Sequence, residues 1–233
     1  MPLFQQLTKD LAHLKDQDLL SELSNLYPKQ SIFSTSLGAE DQVMSHMLSL
    51  CSPIAIFTLD TGRLYEETYK LFDETVKKYN LAIEVFCPDT AQLEKLTTKK
   101  GMFSFYESLE NRKECCHIRK IEPLKRALKP YSIWITGLRK EQSITRSDMQ
   151  MIEWDEQQQM IKINPLIDWS EDDVFNYLAK HDIPFNSLHK QNFPPIGCKP
   201  CTRAIKEGED IRDGRWWWEN KEHKECGLHI KSK

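Results

Sequence analysis

The chain is predicted to fold as an α/β protein, a mostly parallel sheet with helices on both faces, running into an irregular C-terminal tail. Three observations predict this class. Short strand-like runs alternate with amphipathic helical stretches from residue 31 to about residue 136. No apolar run approaches the roughly 20 residues that a membrane span needs. After Pro184 the composition turns to Pro, Gly, Cys and Trp without periodicity, which divides residues 1–183 from a tail, 184–233, within one structural unit.

The elements follow in order. Phe4, Leu7, Leu11, Leu14, Leu19, Leu20 and Leu23 recur at helical spacing, so the first thirty residues read as one or two amphipathic helices. Ser31-Ile32-Phe33-Ser34 reads as a strand and Leu37-Gly38 as a turn. Residues 39–50 read as a helix whose first turn carries Glu40 and Asp41, the charge that suits a helix N-terminus. The alternation continues with strand 54–58, helix 64–79, strand 82–86, helical stretches from about 90 to 128, and strand 133–136. A charged loop over 138–147 is long enough to suggest function. Segments 151–154 and 160–163 pair as a hairpin, and Ser170-Glu171-Asp172-Asp173 opens a capped helix running to about Lys180.

Composition narrows the function classes. With 39% hydrophobic and 29% charged residues the 233-residue chain is ordinary for a globular protein, and its net charge of -3 argues against a general nucleic-acid surface. The start, Met1-Pro2-Leu3-Phe4, lacks the basic and apolar segments of a secretory signal, so a reducing, cytoplasmic setting is expected. There, seven cysteines point to metal binding and catalysis ahead of disulfides. Cys51 and Cys87 lie beside strands in apolar surroundings and read as small buried hydrophobes.

The other five carry chemistry. Cys115-Cys116 and Cys198-Lys199-Pro200-Cys201 supply four thiolates, which suit zinc or an iron-sulfur cluster. Adjacency favours the cluster, because two neighbouring sulfurs at about 2.3 Å from one zinc make a cramped chelate whereas a cubane offers separate irons. Cys226, in Lys224-Glu225-Cys226-Gly227-Leu228-His229, stands apart in a polar segment and is a candidate nucleophile or an incidental surface thiol. Ser34-Thr35-Ser36-Leu37-Gly38-Ala39-Glu40-Asp41 occupies a strand-to-helix turn, where backbone N–H groups and the helix dipole attract phosphate, though such turns also occur without a ligand. It is not a Walker A loop. Thr58-Leu59-Asp60-Thr61-Gly62-Arg63 lies at the end of the next strand, where open α/β sheets bind ligands; Asp60 could equally cap the following helix. Lys120, Arg139, Arg146, Arg212 and Arg215 fall near these motifs and together would form an oxyanion pocket. The run Trp216-Trp217-Trp218 reads as packing that buries the tail.

These motifs, with Cys115-Cys116-His117-Ile118-Arg119-Lys120, Thr136-Gly137-Leu138-Arg139-Lys140-Glu141-Gln142-Ser143, Gly197-Cys198-Lys199-Pro200-Cys201-Thr202-Arg203, Arg212-Asp213-Gly214-Arg215-Trp216-Trp217-Trp218-Glu219 and Glu225-Cys226-Gly227-Leu228-His229, resemble the cluster-containing branch of the assimilatory sulfonucleotide reductases, which act on adenosine 5'-phosphosulfate (APS). The resemblance spans roughly Ser31 to His229. It implies an adenine nucleotide alpha-hydrolase-like fold in residues 1–183 and a cluster-anchored tail carrying the catalytic cysteine. It implies a [4Fe-4S] cluster on Cys115, Cys116, Cys198 and Cys201, with an electrostatic and structural role, and attack by Cys226 on the sulfur of APS. The enzyme S-sulfocysteine so formed is then discharged as sulfite by thioredoxin or a similar dithiol protein. It further implies that Lys120, Arg146, Arg212 and Arg215 hold the phosphosulfate and that Ser34, Ser36, Leu59 and Gly137 form the nucleoside pocket. Neither nucleic acid nor membrane is an expected partner, and a homo-oligomer is left open. Leu37 and Gln42 depart from the Gly and Ser that pyrophosphatases of this fold prefer, which disfavours ATP splitting. Alternatives are use of the 3'-phosphorylated substrate (PAPS) or of both, a non-redox nucleotide-binding or ligase protein with a zinc-stapled tail, and an RNA-binding tail.

Overall fold

The computed structural model describes residues 2–51, 53–142 and 146–219. They form two compact units. The first is drawn from the stretch up to Thr58, from Leu71–Glu84 and from Leu128–Phe185; the second from Leu59–Lys70, Val85–Ala127 and the chain from Asn186 onward.

Two amphipathic helices, α1 (Pro2–Leu11) and α2 (Asp16–Leu26), open the chain. Strands β1 (Ser31–Thr35), β2 (Ala55–Leu59), β3 (Ile83–Phe86), β4 (Ile133–Ile135), β5 (Ile152–Asp155) and β6 (Met160–Ile163) form one sheet in the order β3-β2-β1-β4-β6-β5. β1 pairs in parallel with β2 and β4, β4 pairs in parallel with β6, and β5 closes the edge antiparallel to β6. The expected α/β class, mostly parallel sheet with helices, is therefore the observed one. Helices α3 (Ala39–Ser49) and α4 (Glu66–Tyr79) follow β1 and β2, and α8 (Glu171–Lys180) follows β6. The expected capping box opens α8: Ser170 Oγ accepts from the Asp173 N–H at 3.1 Å, and Asp173 Oδ2 accepts from the Ser170 N–H at 2.9 Å.

Register explains the core. Phe33 pairs with Ile56 and Ile135, and Ile135 with Ile163, so one sheet face presents an apolar row. Leu7, Leu11, Leu19, Leu20, Leu23, Val43, Met44, Met47, Val174 and Leu178 bury against it. Each Leu taken fully out of water contributes about 1.5–3 kcal/mol. The opposite face carries Ser34, Trp134, Lys162 and Glu153.

The helical stretches expected over about 90–128 are three helices with defined breaks between them. α5 (Thr90–Lys100), capped by Asp89, stops at Gly101, whose φ of 82° suits glycine. α6 (Leu109–Cys116) starts from a Ser108 cap, passes into a single wide π turn over His117–Ile121, and continues as α7 (Glu122–Leu128). Cys87 is exposed and Cys51 half-buried, against the expectation of buried hydrophobes. Cys87 follows the edge strand β3, and Cys51 sits just beyond α3 with its thiol donating to the Met47 carbonyl at 3.3 Å. No helix among the described residues is long and apolar enough to cross a membrane.

Candidate functional site

Along the sheet the chain steps from β1 outward to β2 and β3, then returns to β4 on the other side of β1. The carboxyl ends of β1 and β4 thus flank the crossover point where open α/β sheets bind ligands. Ser34 and Ser36 stand at the end of β1, and Gly137 just past the end of β4. Ser34 Oγ accepts from the Trp134 indole N–H at 2.8 Å. The Ser36 N–H and hydroxyl both donate to Asp41 Oδ2 at 2.6 Å, and the Gly137 N–H also donates to Asp41. A Cβ at Gly137 would stand 2.4 Å from Asp41 Oδ1, so only glycine allows this approach. Leu37 occupies the left-handed region at φ 60°, a conformation that glycine adopts at less cost than a side-chain-bearing residue. Within the strand-to-helix turn, the Ser36 donors are therefore already engaged by an internal carboxylate.

Burial pushes the Asp41 carboxyl up from 3.8 to about 6, against the Ser36 hydrogen bonds that favour its charged form. A carboxyl that holds its proton more tightly folded than unfolded contributes stability that is complete below pH 3.8 and lost as pH rises through about 6. Denaturant titrations are expected to show the wild type losing about 2–3 kcal/mol across that window relative to Asp41→Asn. Parallel curves for the two proteins would remove the assignment.

Of the loop cations, Arg139 is committed: Nε donates to Glu40 Oε1 at 2.9 Å and Nη1 to the Trp169 carbonyl at 3.3 Å, with the side chain buried. Glu40 at the head of α3 makes this pair, so Arg139 leaves the group of anion candidates. Arg146 donates to Gln142 Oε1 and feels Lys162, which is buried against the Trp134 ring and near Glu153 and Asp155. Burial pulls the Lys162 ammonium down, opposed by those two carboxylates.

The second unit gathers the cysteine motifs. Leu59 closes β2, and Asp60, beyond it, accepts from the Gly62 N–H at 2.7 Å and the Tyr69 hydroxyl at 2.8 Å. Cys115 and Cys116 end α6; the π turn then carries Arg119 and Lys120. Wide turns of this kind recur at functional sites. Cys198 precedes and Cys201 ends a short 3-10 turn, fixed by Lys199 N–H to the Arg63 carbonyl at 2.8 Å, Tyr65 OH to the Thr202 carbonyl at 2.7 Å and Tyr106 OH to the Pro200 carbonyl at 2.6 Å. The Cys198 thiol donates to Thr61 Oγ1 at 3.3 Å.

Cys115, Cys198 and Cys201 share one buried cluster with Phe105, Ile118 and Trp216, while Cys116 is half-buried and hydrogen-bonded to Arg112. Burial pushes the Cys115 thiol up, and pushes Cys201 up to about 12 with Cys198 adding to it; Arg119, Arg63, Arg215 and Lys120 act in the other direction. Arg63 Nη1, Arg119 Nε, Arg215 Nε and Trp216 Nε1 are buried and find no hydrogen-bond partner among the described residues. Buried donors of this kind are costly unless an acceptor or anion meets them. A thiolate-ligated iron-sulfur group supplies positive metal to the thiols and anionic sulfur to the cations, so the residues present fit it. Among the described residues no three His, Cys, Asp or Glu side chains are arranged to hold a single metal ion.

Arg212 and Arg215 lie on the turn before Trp216, with the Arg215 N–H bonded to the Arg212 carbonyl at 2.9 Å. Arg215 is buried with its guanidinium 4.5 Å over the Trp216 ring, and Arg112 covers the same ring at 4.7 Å. The expected packing role therefore holds for Trp216, whereas Trp217 is 39% exposed. Cys226 lies outside the described residues. Sequence reading overlooked Arg112, Arg119 and Thr61. Arg112 was detectable one helical turn before Cys116, and Arg119 sits inside the double-cysteine motif.

The model of the family described as the phosphoadenosine phosphosulfate reductase domain matches residues 30–204. A protein of Burkholderia cepacia named adenosine 5'-phosphosulfate reductase is 49% identical over 213 residues, 91% of this chain and 85% of its own. One of the same name from Allochromatium vinosum is 51% identical over 199 residues, covering 85% and 78%. Among solved structures, phosphoadenylyl-sulfate (PAPS) reductase from Candida auris, in a phosphate complex, superposes with a TM-score of 0.72 at 27% identity over 84% of this chain and 94% of that one. Candida glabrata FMN adenylyltransferase shares the fold alone, with a TM-score of 0.57 and 13% identity over 96% of this chain and 77% of that one. With three quarters of its length matched and relatives about half identical, the chain belongs to the phosphoadenosine phosphosulfate reductase domain family.

Proposed function

We propose that the chain reduces APS to sulfite and AMP in the cytoplasm, with a dithiol protein such as thioredoxin as electron donor. The observation that carries the reading is the gathering of Cys115, Cys198 and Cys201 among Arg63, Arg119, Lys120 and Arg215, in a chain about half identical to proteins named for APS reduction. Cys115, Cys116, Cys198 and Cys201 would hold a [4Fe-4S] cluster, which when bound supplies a staple for the tail and a fixed electrostatic centre.

The Cys226 thiolate attacks the sulfur of APS; an S–S bond forms, the sulfur–oxygen bond to phosphate breaks, and AMP leaves with the electron pair. Lys120, Arg146, Arg212 and Arg215 hold the phosphosulfate and the charge that gathers on the departing phosphate, while Ser34, Ser36, Leu59 and Gly137 receive the nucleoside. A dithiol then attacks Cys226 Sγ, sulfite departs with the S–S electron pair, and the second thiol closes a disulfide that frees Cys226. Two electrons pass from the dithiol to the substrate sulfur.

Sulfite release from APS and PAPS, compared side by side on anaerobically purified protein with thioredoxin, tests the reading. The expected result is a brown protein with turnover on APS at least about tenfold above PAPS, a difference of about 1.4 kcal/mol in transition-state stabilisation. Equal or greater turnover on PAPS would overturn the substrate choice. Equimolar zinc with no visible iron-sulfur absorption would overturn the cofactor.

A further inference from the structure

The guanidinium of Arg215 lies where a side chain on residue 197 would be. A Cβ built on Gly197 would stand 1.6 Å from Arg215 Nη1, 2.4 Å from Cζ and 2.7 Å from Nη2. Gly197 is not among the residues at positive φ, so its backbone does not itself demand glycine. What demands it is the close approach. The rest of Arg215 is fixed: residues Thr202 and Arg215 form an antiparallel bridge, the Trp216 N–H donates to the Cys201 carbonyl at 3.1 Å, and the guanidinium stacks on Trp216.

We infer that Gly197 is a positioning residue for Arg215, its missing side chain being the space that lets the guanidinium lie beside Cys201 and Trp216. The inference rests on the proposed reading of Arg215 as a phosphosulfate ligand. An added methyl is most cheaply accommodated by swinging the end of the flexible arginine away, because the atoms in its path are the far end of that side chain, whose own backbone is held by the bridge to Thr202. Gly197→Ala therefore folds and keeps its cysteine centre while losing the arginine from its place. A purely structural glycine would behave differently, since its substitution would cost the same whether or not residue 215 is arginine.

The experiment is a double-mutant cycle on the full-length, anaerobically purified protein, comparing wild type, Gly197→Ala, Arg215→Ala and the double variant. The probe is ADP, whose terminal phosphate offers a tetrahedral oxyanion on an adenosine phosphate without a reactive sulfur, and its Kd is read by calorimetry alongside the melting temperature. Gly197→Ala and Arg215→Ala are each expected to weaken ADP about 10- to 100-fold, the worth of one charged hydrogen-bonding group. The double variant binds ADP no more weakly than Arg215→Ala and melts at the same temperature. Multiplied losses in the double variant, or a melting penalty from Gly197→Ala that persists without the arginine, overturn the inference. Arg215→Ala binding ADP like the wild type would overturn the ligand reading beneath it, and the melting temperatures would still decide the steric coupling.

Discussion

Replacing Cys226 with serine is expected to lower sulfite release by on the order of 10⁴-fold or more, because a hydroxyl without an activating base is a poor nucleophile at sulfur. Iron content and visible absorption stay at wild-type levels, since the four cysteines proposed as ligands are other residues. Isotopically labelled sulfur from APS, supplied without dithiol, remains on the wild-type protein and not on the variant. Sustained turnover by Cys226→Ser would end its assignment as nucleophile. Label retained by the variant would move the covalent step to another thiol.

Arg112→Ala carries the largest expected loss of stability, about 3–5 kcal/mol. Arg112 is buried, donates to Glu219 at 3.0 and 2.8 Å, and covers the Trp216 ring. Burial works against its charge, but Glu219 and Cys116 more than offset that and raise its pKa. Truncation leaves the Glu219 carboxylate buried without its partner, the most costly outcome for such a pair. The Arg203–Glu209 pair, at 2.7 Å but far more exposed, serves as the control: Arg203→Ala should cost about 1 kcal/mol or less. Denaturant unfolding of the anaerobically purified protein measures both. A loss at Arg112 no larger than that at Arg203 would mean that the buried pair does not hold the segment leading to residue 219.

Much of the first unit was legible because burial imposes periodicity. The two-residue spacing of Ile133 with Ile135 and of Ile161 with Ile163, and the 3.6-residue spacing of the early leucines, follow from which side faces the core. The breaks in 90–128 were harder to read. Their signals, Gly101 and the Ser108 cap, are single residues, and the π turn over His117–Ile121 has no periodic signature. The cysteine pairs were legible as chemistry because adjacent and closely spaced thiols have few structural uses. Their setting was not, since the cations that meet them come from Thr58–Arg63, the π turn and the segment beyond residue 197. The engagement of Ser36 by Asp41 was also hidden: a strand-to-helix turn shows where donors point but not which anion takes them.

The interleaved makeup of the second unit sets an order on its biosynthesis. Its pieces are Leu59–Lys70, Val85–Ala127 and the chain from Asn186 onward, so the nascent chain exposes Cys115 and Cys116 long before Cys198 and Cys201 leave the ribosome. The elements of the first unit up to β6 are synthesised before the partners of Arg63, Tyr65 and Tyr106 exist. Contacts so distant in sequence close late and slowly. Capture of iron, on the reading proposed above, is then a post-translational event that completes the fold, and iron starvation would leave in the cell a population with an ordered sheet and an unfinished second unit, marked for proteolysis.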